Sequence, residues 1–508
     1  MEPFQFFGFL WLIRTTKIAL FYLYFWQLKE YHIGRFLAHF DTYYGKKLIF
    51  NPVNILKIIL LLVFPIVPLL TFFGTAVIYL LEFPKVFFDF IGKKIKKPVL
   101  TKKTASLFFA TFIFEAGLIF LAFASIGFWE KFKIFSDSSR IVIFVFWLLV
   151  FDVFSPVIFS IIVLFFQPFT VLMRNRIIKK AKEKRQKFPN LLVVGITGSY
   201  GKTSTKEFLY SILKEKFGDK VLKTKEHQNS EVGISQCILN DLNKDHEIFI
   251  VEMGAYNVGG IKLLCDITGP KIGILTGINE QHMATFGSQE NIIKAKYELI
   301  ESLPKNGIAF FNGKNKYCVE LYEKTLRRGS GRVFLYGENA RFFGEENILG
   351  AMAMARELGM QENEIQNAVG KIDNKMPGIQ IKEGIGGLKI IDATYSANPD
   401  GVIANLEYLR QFNGKKIIVM PCLIELGKAS KEVHRRIGQK IGEVCDLAII
   451  TTKDYFREIS DVAGEKTVFM DNPKKIFDKI KSFTKDGDIV LLESRVPKKL
   501  IERLMIIN

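Results

Sequence analysis

The chain has 508 residues, 49% of them hydrophobic, with 70 Lys+Arg against 51 Asp+Glu and a formal charge of +19. That length suggests roughly three domains of about 150 residues, and the apolar content excludes a disordered tail or a small disulfide-stapled secreted module. The five cysteines (Cys237, Cys265, Cys318, Cys422, Cys445) never approach CxxC spacing, so they read as reduced thiols in a cytosolic compartment, not a zinc ribbon or a disulfide framework.

The averages conceal a division. Of the 48 Phe, 34 lie at or before Phe188, and all four Trp lie at or before Trp147. The first third, 1–187, therefore reads as a helical membrane part. Four apolar runs, 4–28, 53–81, 105–128 and 141–173, are long enough to span a bilayer at about 20 residues each. Pro65 and Pro68 read as kinks in the second. Arg14 and Lys17 fall in the middle of the first, so it either faces a protein interior or lies in the interface. No small-residue cleavage site follows 4–28, so a signal peptide is not expected.

The charge excess has an address. Lys85–Lys103 carries seven Lys and one Asp, and Arg174–Lys187 carries eight basic residues and one Glu. Both abut apolar runs, which points to cytoplasmic juxtamembrane segments facing the lipid bilayer and not to nucleic acid. Alternating the four spans from that side puts the N-terminus inside and the 29–47 connection outside. Its Lys29, Arg35, Lys46 and Lys47 resist that placement. Glu115 and Asp152 are open to two readings, a functional intramembrane pair or separate hydrogen bonds to neighbouring helices.

After Pro189, short apolar runs alternate with amphipathic segments, the pattern of α/β layering. Strands are expected at Leu191–Ile196, Ile248–Glu252 and Ile272–Thr276, with helices at Thr203–Phe217, Gln289–Ser302 and Glu346–Leu358. A turn-rich break near Lys375–Gly378 separates 188–375 from a second set, 376–508. Its strands are expected at Leu388–Asp392, Lys416–Pro421, Leu447–Thr451, Thr467–Met470 and Asp488–Glu493.

The most informative stretch is Gly195-Ile-Thr-Gly-Ser-Tyr-Gly-Lys-Thr203. A strand delivers a glycine turn whose amides converge on phosphate oxygens, and the helix that follows adds its positive end. Thr197, Gly198, Ser199, Tyr200, Gly201, Lys202, Thr203 and Ser204 form this candidate ATP cradle. Lys202 is placed to neutralise the β- and γ-phosphates, and the Thr203 hydroxyl to ligate Mg²⁺. Gly195 is one residue too far back for GxxxxGK[ST]. Glu252, at a strand end beside the loop, is a second oxygen ligand for Mg²⁺. On residue type alone, His282 reads more readily as structural, and Lys296 as one solvated lysine among many.

The loop resembles the TG-x-x-GKT loop of the ATP-dependent Mur ligases, amide-forming enzymes of peptidoglycan precursor synthesis. Other blocks agree in order. Asn229-Ser-Glu-Val-Gly233 resembles NN-x-x-G, and Val251-Glu-Met-Gly254 the strand-end glutamate motif. Gln281-His-Met-Ala-Thr-Phe-Gly287 with Ala295-Lys296 resembles H-x-x-x-(F/H)-G…AK. Asp392-Ala-Thr-Tyr-Ser-Ala-Asn-Pro399 and Glu425-Leu-Gly427…His434 are similar to motifs of the D-alanyl-D-alanine-adding branch. The resemblance covers about 190–508. It implies a P-loop central ATP-binding domain and a Rossmann-like C-terminal domain. His282 would help hold a second Mg²⁺, Lys296 would be carbamylated and so become a metal-binding anion, Asn347 would contact adenine, and Asp392 would lie near the ribose and phosphates. Lys202, Lys296 and His282 are the expected catalytic set; Thr203, Glu252, His282 and Lys296 the expected metal set.

The implied reaction activates a carboxylate as an acyl phosphate and joins it to an amine, with a UDP- or lipid-linked muropeptide and a D-amino-acid dipeptide as partners. It implies a multi-pass protein of the inner membrane with catalytic domains in the cytoplasm. The departures from the family fall where the resemblance implies phosphate and substrate contacts. A membrane part replaces the soluble UDP-gripping domain, Pro-Gly-Arg reads Pro377-Gly-Ile379, GD-x-x-ELG reads Pro421-Cys-Leu-Ile-Glu-Leu-Gly427, and KGSR reads Leu492-Glu-Ser-Arg495. Rival readings are weaker. A membrane tyrosine kinase of polysaccharide export needs a terminal tyrosine cluster, and an ATP-driven transporter subunit needs an ABC signature. The intact GKT, Glu252, His282 and Lys296 weigh against a degenerate scaffold.

Overall fold

A computed structural model of the chain describes residues 3–131, 137–226, 228–329, 331–341, 344–372, 380–394 and 398–505. The expected break at Lys375–Gly378, the Pro377-Gly-Ile379 departure and the 395–397 part of the Asp392–Pro399 motif lie outside these residues. The chain forms two compact units, Met1–Met173 and Arg174–Asn508.

The first unit is helical: α1 (Pro3–Leu28), α2 (Ile33–Phe40), α3 (Tyr43–Ile49), α4 (Pro52–Val63), α5 (Pro68–Ile91), α6 (Lys102–Lys131), α7 (Asp137–Phe165) and the start of α8 (Gln167–Gln186). Four stretches are long and apolar enough to cross a membrane: Pro3–Leu28, Pro68–Ile91, Lys102–Ala124 and Arg140–Gln186. The run 53–81 is not one span. Pro65 cannot continue the amide ladder of α4, and Pro68 opens a new helix where a missing N–H costs nothing. The Thr71 hydroxyl donates to the Leu60 carbonyl at 2.9 Å, so α4 folds back on α5. With 12 residues, α4 is about 18 Å long, short of a hydrocarbon core of about 30 Å.

The helix directions also differ from the expected alternation. At one end, the rings of Phe4, Phe123 and Phe144 meet with centroids 4.7 to 5.7 Å apart. At the other, Gln27 bonds both backbone groups of Val99, Trp26 donates to Ser160, and Gln167 donates to the Tyr31 carbonyl. α1 and α7 therefore run parallel, with α6 antiparallel to both. The 29–47 connection shares its end with the 92–103 segment, not the opposite face. This removes the conflict its lysines posed, because the 29–47 and 92–103 connections then lie at the same end of the helices.

Four helices each contribute one charge to a buried cluster. Arg14 of α1 bonds Asp152 of α7 and Glu82 of α5. Lys57 of α4 lies 3.2 Å from Asp152 and 3.6 Å from Glu82. Lys17 pairs with Asp89 at 2.7 Å. Asp152 thus answers cations, and Glu115 sits beside Thr16; they are not a pair with each other.

In the second unit, β1 (Leu192–Thr197), β2 (Val221–Lys223), β3 (Ile248–Glu252), β4 (Ile272–Leu275), β5 (Ile308–Asn312) and β6 (Arg332–Tyr336) form a parallel sheet in the order β2-β3-β1-β4-β5-β6. β7 (Gln380–Glu383), β8 (Lys389–Ala393), β9 (Lys416–Met420), β10 (Leu447–Ile450), β11 (Thr467–Phe469) and β12 (Ile489–Glu493) form a second, ordered β11-β10-β9-β12-β8-β7, with only β7 antiparallel. Helices cover both faces, so strands such as Leu192–Thr197 and Ile489–Glu493 are apolar up to their last residue.

The segment 174–187 is not simply a juxtamembrane tail. Ile178 and Ala181 of α8 pack into the core with Leu191 and Val193. Lys184 donates to Leu239 O at 3.0 Å, and Arg185 to Thr268 O at 2.8 Å, Phe188 O at 2.7 Å and Leu191 O at 3.2 Å. The Leu239 and Thr268 carbonyls close helices Glu231–Asn240 and Gly260–Thr268, where positive charge is favoured. This segment accordingly belongs to the second compact unit, Arg174–Asn508.

Candidate active site

The strand order reverses beside β1: the chain moves from β1 out to β2 and β3 on one flank, then to β4 on the other. The crevice beyond the carboxyl ends of β1 and β4 is where open α/β sheets bind ligands. The 198–201 turn lies there, and the helix Lys202–Phe217 starts from it. Gly201 has φ +79°, and a Cβ on it would meet Asn347 Oδ1 at 2.4 Å, so both conformation and space require glycine. Gly195 has a different role. It lies within β1, where a Cβ would meet the Leu299 side chain at 2.7 Å, so it serves packing and not the loop.

The loop is braced from β4. Ser199 N–H donates to Gly277 O at 2.6 Å, and the Thr276 hydroxyl bonds the Tyr200 carbonyl. Thr197 is fully buried and donates to Met253 O at 2.9 Å. Tyr200 turns inward, its hydroxyl 3.3 Å from Asn315. These two shape the cradle from behind. Lys202 donates to Gly198 O at 2.7 Å and Ser199 O at 3.1 Å, so the ammonium is held inside its own turn. Burial lowers its pKa against the opposing pull of Glu252. Thr203 and Ser204 occupy the first turn of the helix.

Glu252 closes β3. Its carboxylate accepts from Asn229 at 3.2 Å and lies 3.2 Å from the Lys206 ammonium. Burial pushes this acid up, but Lys206, Lys202 and Asn229 outweigh it and keep the carboxylate below its usual range. Lys206 was not singled out from the sequence. The only available signal was its position one helical turn after Lys202, on the same face.

Lys296 projects from the helix Gln289–Glu301 and is 3% exposed. Burial, aided by Lys202, pushes its pKa down to about 7. His282 heads the short helix Met283–Phe286 with φ +66°. Its Nδ1 lies 2.8 Å from Glu425 Oε2, and its ring meets Tyr256 edge-on at 5.1 Å. Burial lowers its pKa, with Glu425 opposing and Lys296 and Lys202 contributing. Lys202, Glu252, His282 and Lys296 therefore share one electrostatic neighbourhood.

The outlying members fall less closely. Asn347 is buried against Gly201 and bonds Thr205 at 3.2 Å, at the head of the loop helix. Asp392 is the penultimate residue of β8 in the second sheet, held by Lys382 at 2.8 Å and the Thr394 hydroxyl at 2.7 Å. Among the described residues no group of three or more His, Cys, Asp and Glu is gathered as a metal cage. The donor types nevertheless fit magnesium. Glu252 and Thr203 offer hard oxygens, and Lys206 already sets a cation against the Glu252 carboxylate. A near-neutral Lys296 amine fits the addition of CO₂, which would supply further oxygens.

Residues 196–376 match the Mur ligase middle domain, and residues 379–495 match the glutamate ligase domain of the Mur ligases. The chain belongs to the Mur ligase family. A UDP-N-acetylmuramoyl-tripeptide–D-alanyl-D-alanine ligase of Synechocystis is 31% identical over 281 residues, 51% of this chain and 60% of that protein. The Haemophilus influenzae enzyme of the same name is 27% identical, covering 52% and 64%. The chain thus spans less than two thirds of the length of these two relatives. The structure of the MurF ligase from Thermotoga maritima in complex with ADP superposes with a TM-score of 0.56 and 28% identity, over 65% of this chain and 83% of that one. The Mur ligase matches start at residue 196, after the apolar helices.

Proposed function

We propose that this Mur ligase is a membrane-anchored, ATP-dependent, ADP-forming amide ligase of peptidoglycan precursor synthesis. The observation that carries the reading is the convergence of Lys202, Glu252, His282 and Lys296 at the sheet edge beside a GKT loop. The substrate carboxylate attacks the γ-phosphorus of ATP to give an acyl phosphate and ADP; the amine then displaces phosphate and loses a proton. Loop amides and Lys202 hold the phosphates, so charge developing on the transferring group meets oriented donors. Asn347 and Asp392 are assigned to the nucleoside on family resemblance. Magnesium, held by Thr203 and Glu252, with a second ion at His282 and carbamylated Lys296, would neutralise phosphate charge. The lowered pKa of Lys296 supports carbamylation, because only a neutral amine adds CO₂, releasing one proton.

The membrane assignment rests on the outer faces of α5, α6 and α7, where Phe73 (61% exposed), Leu81 (74%), Phe120 (71%) and Ile161 (58%) form an apolar surface suited to lipid. The basic end would face the cytoplasm of an inner-membrane, multi-pass protein. The acyl substrate is most simply a UDP-linked muropeptide, and the amine D-Ala-D-Ala. A lipid-linked carrier is the second reading, favoured by the membrane unit standing where relatives grip UDP. The test is phosphate release by the detergent-solubilised chain with ATP, Mg²⁺ and UDP- or lipid-linked muropeptides, with and without D-Ala-D-Ala. Release that depends on both carrier and dipeptide is expected; release with neither dependence would overturn the ligase reading.

A further inference from the structure

His282 and Glu425 come from different sheets, and both stand in the left-handed backbone region at φ +66°. For side chains other than glycine that conformation is strained, and it persists where surrounding structure demands it. Here the demand is visible. The 421–427 loop, delivered by β9, reaches across to the start of the Met283–Phe286 helix. The Glu425 carbonyl accepts from Ala284 N–H at 3.0 Å, and Gly427 sits so close that a Cβ would lie 3.1 Å from the Ala284 backbone. His434 braces the loop from behind, its Nε2 accepting from Leu423 N–H at 2.9 Å and its Nδ1 facing Ser430 O at 2.6 Å. Two further bonds join the same faces: Arg436 to Glu280 at 3.1 Å, and Asn279 to Asn398 at 3.1 Å.

The Glu425 carboxylate takes Nδ1 of His282, leaving Nε2 as the nitrogen with which the imidazole can address a metal. A carboxylate on the far nitrogen is how ligating histidines are oriented. We propose that Glu425 is a positioning residue for His282, so that the C-terminal domain completes the metal site of the middle domain when the two are docked. Metal binding and docking then favour one another, as linkage requires. This rests on the ligase reading above, in which His282 meets magnesium.

The experiment uses the full-length protein in detergent with ADP and Mn²⁺ as the probe, free Mn²⁺ being counted by electron paramagnetic resonance. His282→Ala and Glu425→Ala should each weaken Mn²⁺ binding by about tenfold or more. Glu425→Gln, which keeps an oxygen acceptor for Nδ1–H, should retain most of the affinity. Glu425→Gly removes the carboxylate while relaxing the backbone, so a loss shared by the Ala and Gly variants but spared in Gln tracks the carboxylate and not misfolding. Mn²⁺ should also slow hydrogen exchange in 421–427 of the wild type and leave it unchanged in Glu425→Gly. Wild-type Mn²⁺ affinity in the Ala and Gly variants, with loss in His282→Ala, would overturn the positioning role while leaving the ligase reading intact. Wild-type affinity in His282→Ala would remove the reading beneath it.

Discussion

Replacing Asp152 by Asn tests whether the charge cluster of the first unit lies in a low-dielectric interior. The Asp152 side chain is 2% exposed and receives both Arg14 and Lys57, the latter itself 3% exposed. Without it, two buried cations share only Glu82, already contacted by both. Removing one partner from a buried network costs about 3 to 5 kcal/mol, because the remaining charge is uncompensated. The double variant Asp152→Asn/Lys57→Met should recover more than half of that loss, since Arg14 and Glu82 are then a balanced pair. The readout is intrinsic fluorescence during unfolding in detergent: all four tryptophans lie at or before Trp147, so the signal reports this unit alone. If single and double variants unfold together with the wild type, the four charges are solvated. The helices carrying them would then not be packed as described.

Lys202→Ala should abolish ATP-dependent phosphate release while leaving the tryptophan signal unchanged, because one loop charge is removed and no core is disturbed. Lys296→Ala should be nearly inactive in the same assay and partly rescued by short carboxylic acids; wild-type turnover would make Lys296 a bystander. Glu493, fully buried and bonded to Asn405, has its pKa raised by burial to about 8. The folded state holds a proton that the unfolded chain gives up above about pH 4.5, so stability falls as pH rises from there to about 8. Glu493→Gln should remove that decline, worth on the order of 4 kcal/mol at the top of the window, read as the urea midpoint for exposure of the buried Cys422 and Cys445. Arg185→Ala should cost the second unit about 2 kcal/mol, since it severs charged hydrogen bonds to carbonyls, without changing binding to anionic vesicles. Lys179→Ala with Lys180→Ala should do the reverse, losing about 1 kcal/mol of vesicle affinity per residue.

The chemistry-bearing loop and its strands were legible in the sequence because their signals are local. A parallel strand covered on both faces is an uninterrupted apolar run, and a phosphate loop needs glycine and lysine at adjacent positions. Leu191–Ile196, Ile248–Glu252, Ile272–Thr276 and Lys416–Pro421 were therefore expected within a residue or so of where they lie. β2 has three residues, too few for a pattern, and β7 alternates at the sheet edge. Hydropathy likewise marked the first unit but is blind to direction. It could not tell a kink at Pro65 from a reversal, nor see that α1 and α7 run parallel. Charge counts carried the same limit: eight basic residues in 174–187 gave a sum, while the carbonyls of Leu239, Thr268 and Leu191 decide that Lys184 and Arg185 are spent inside the fold. Partnerships across long stretches of chain were decided by tertiary structure alone. Arg14 meets Asp152 across 138 residues and His282 meets Glu425 across 143. A side-chain pairing depends on distance in space, and nothing in the local pattern of either partner records which side chain the packed helices and sheets will set opposite it.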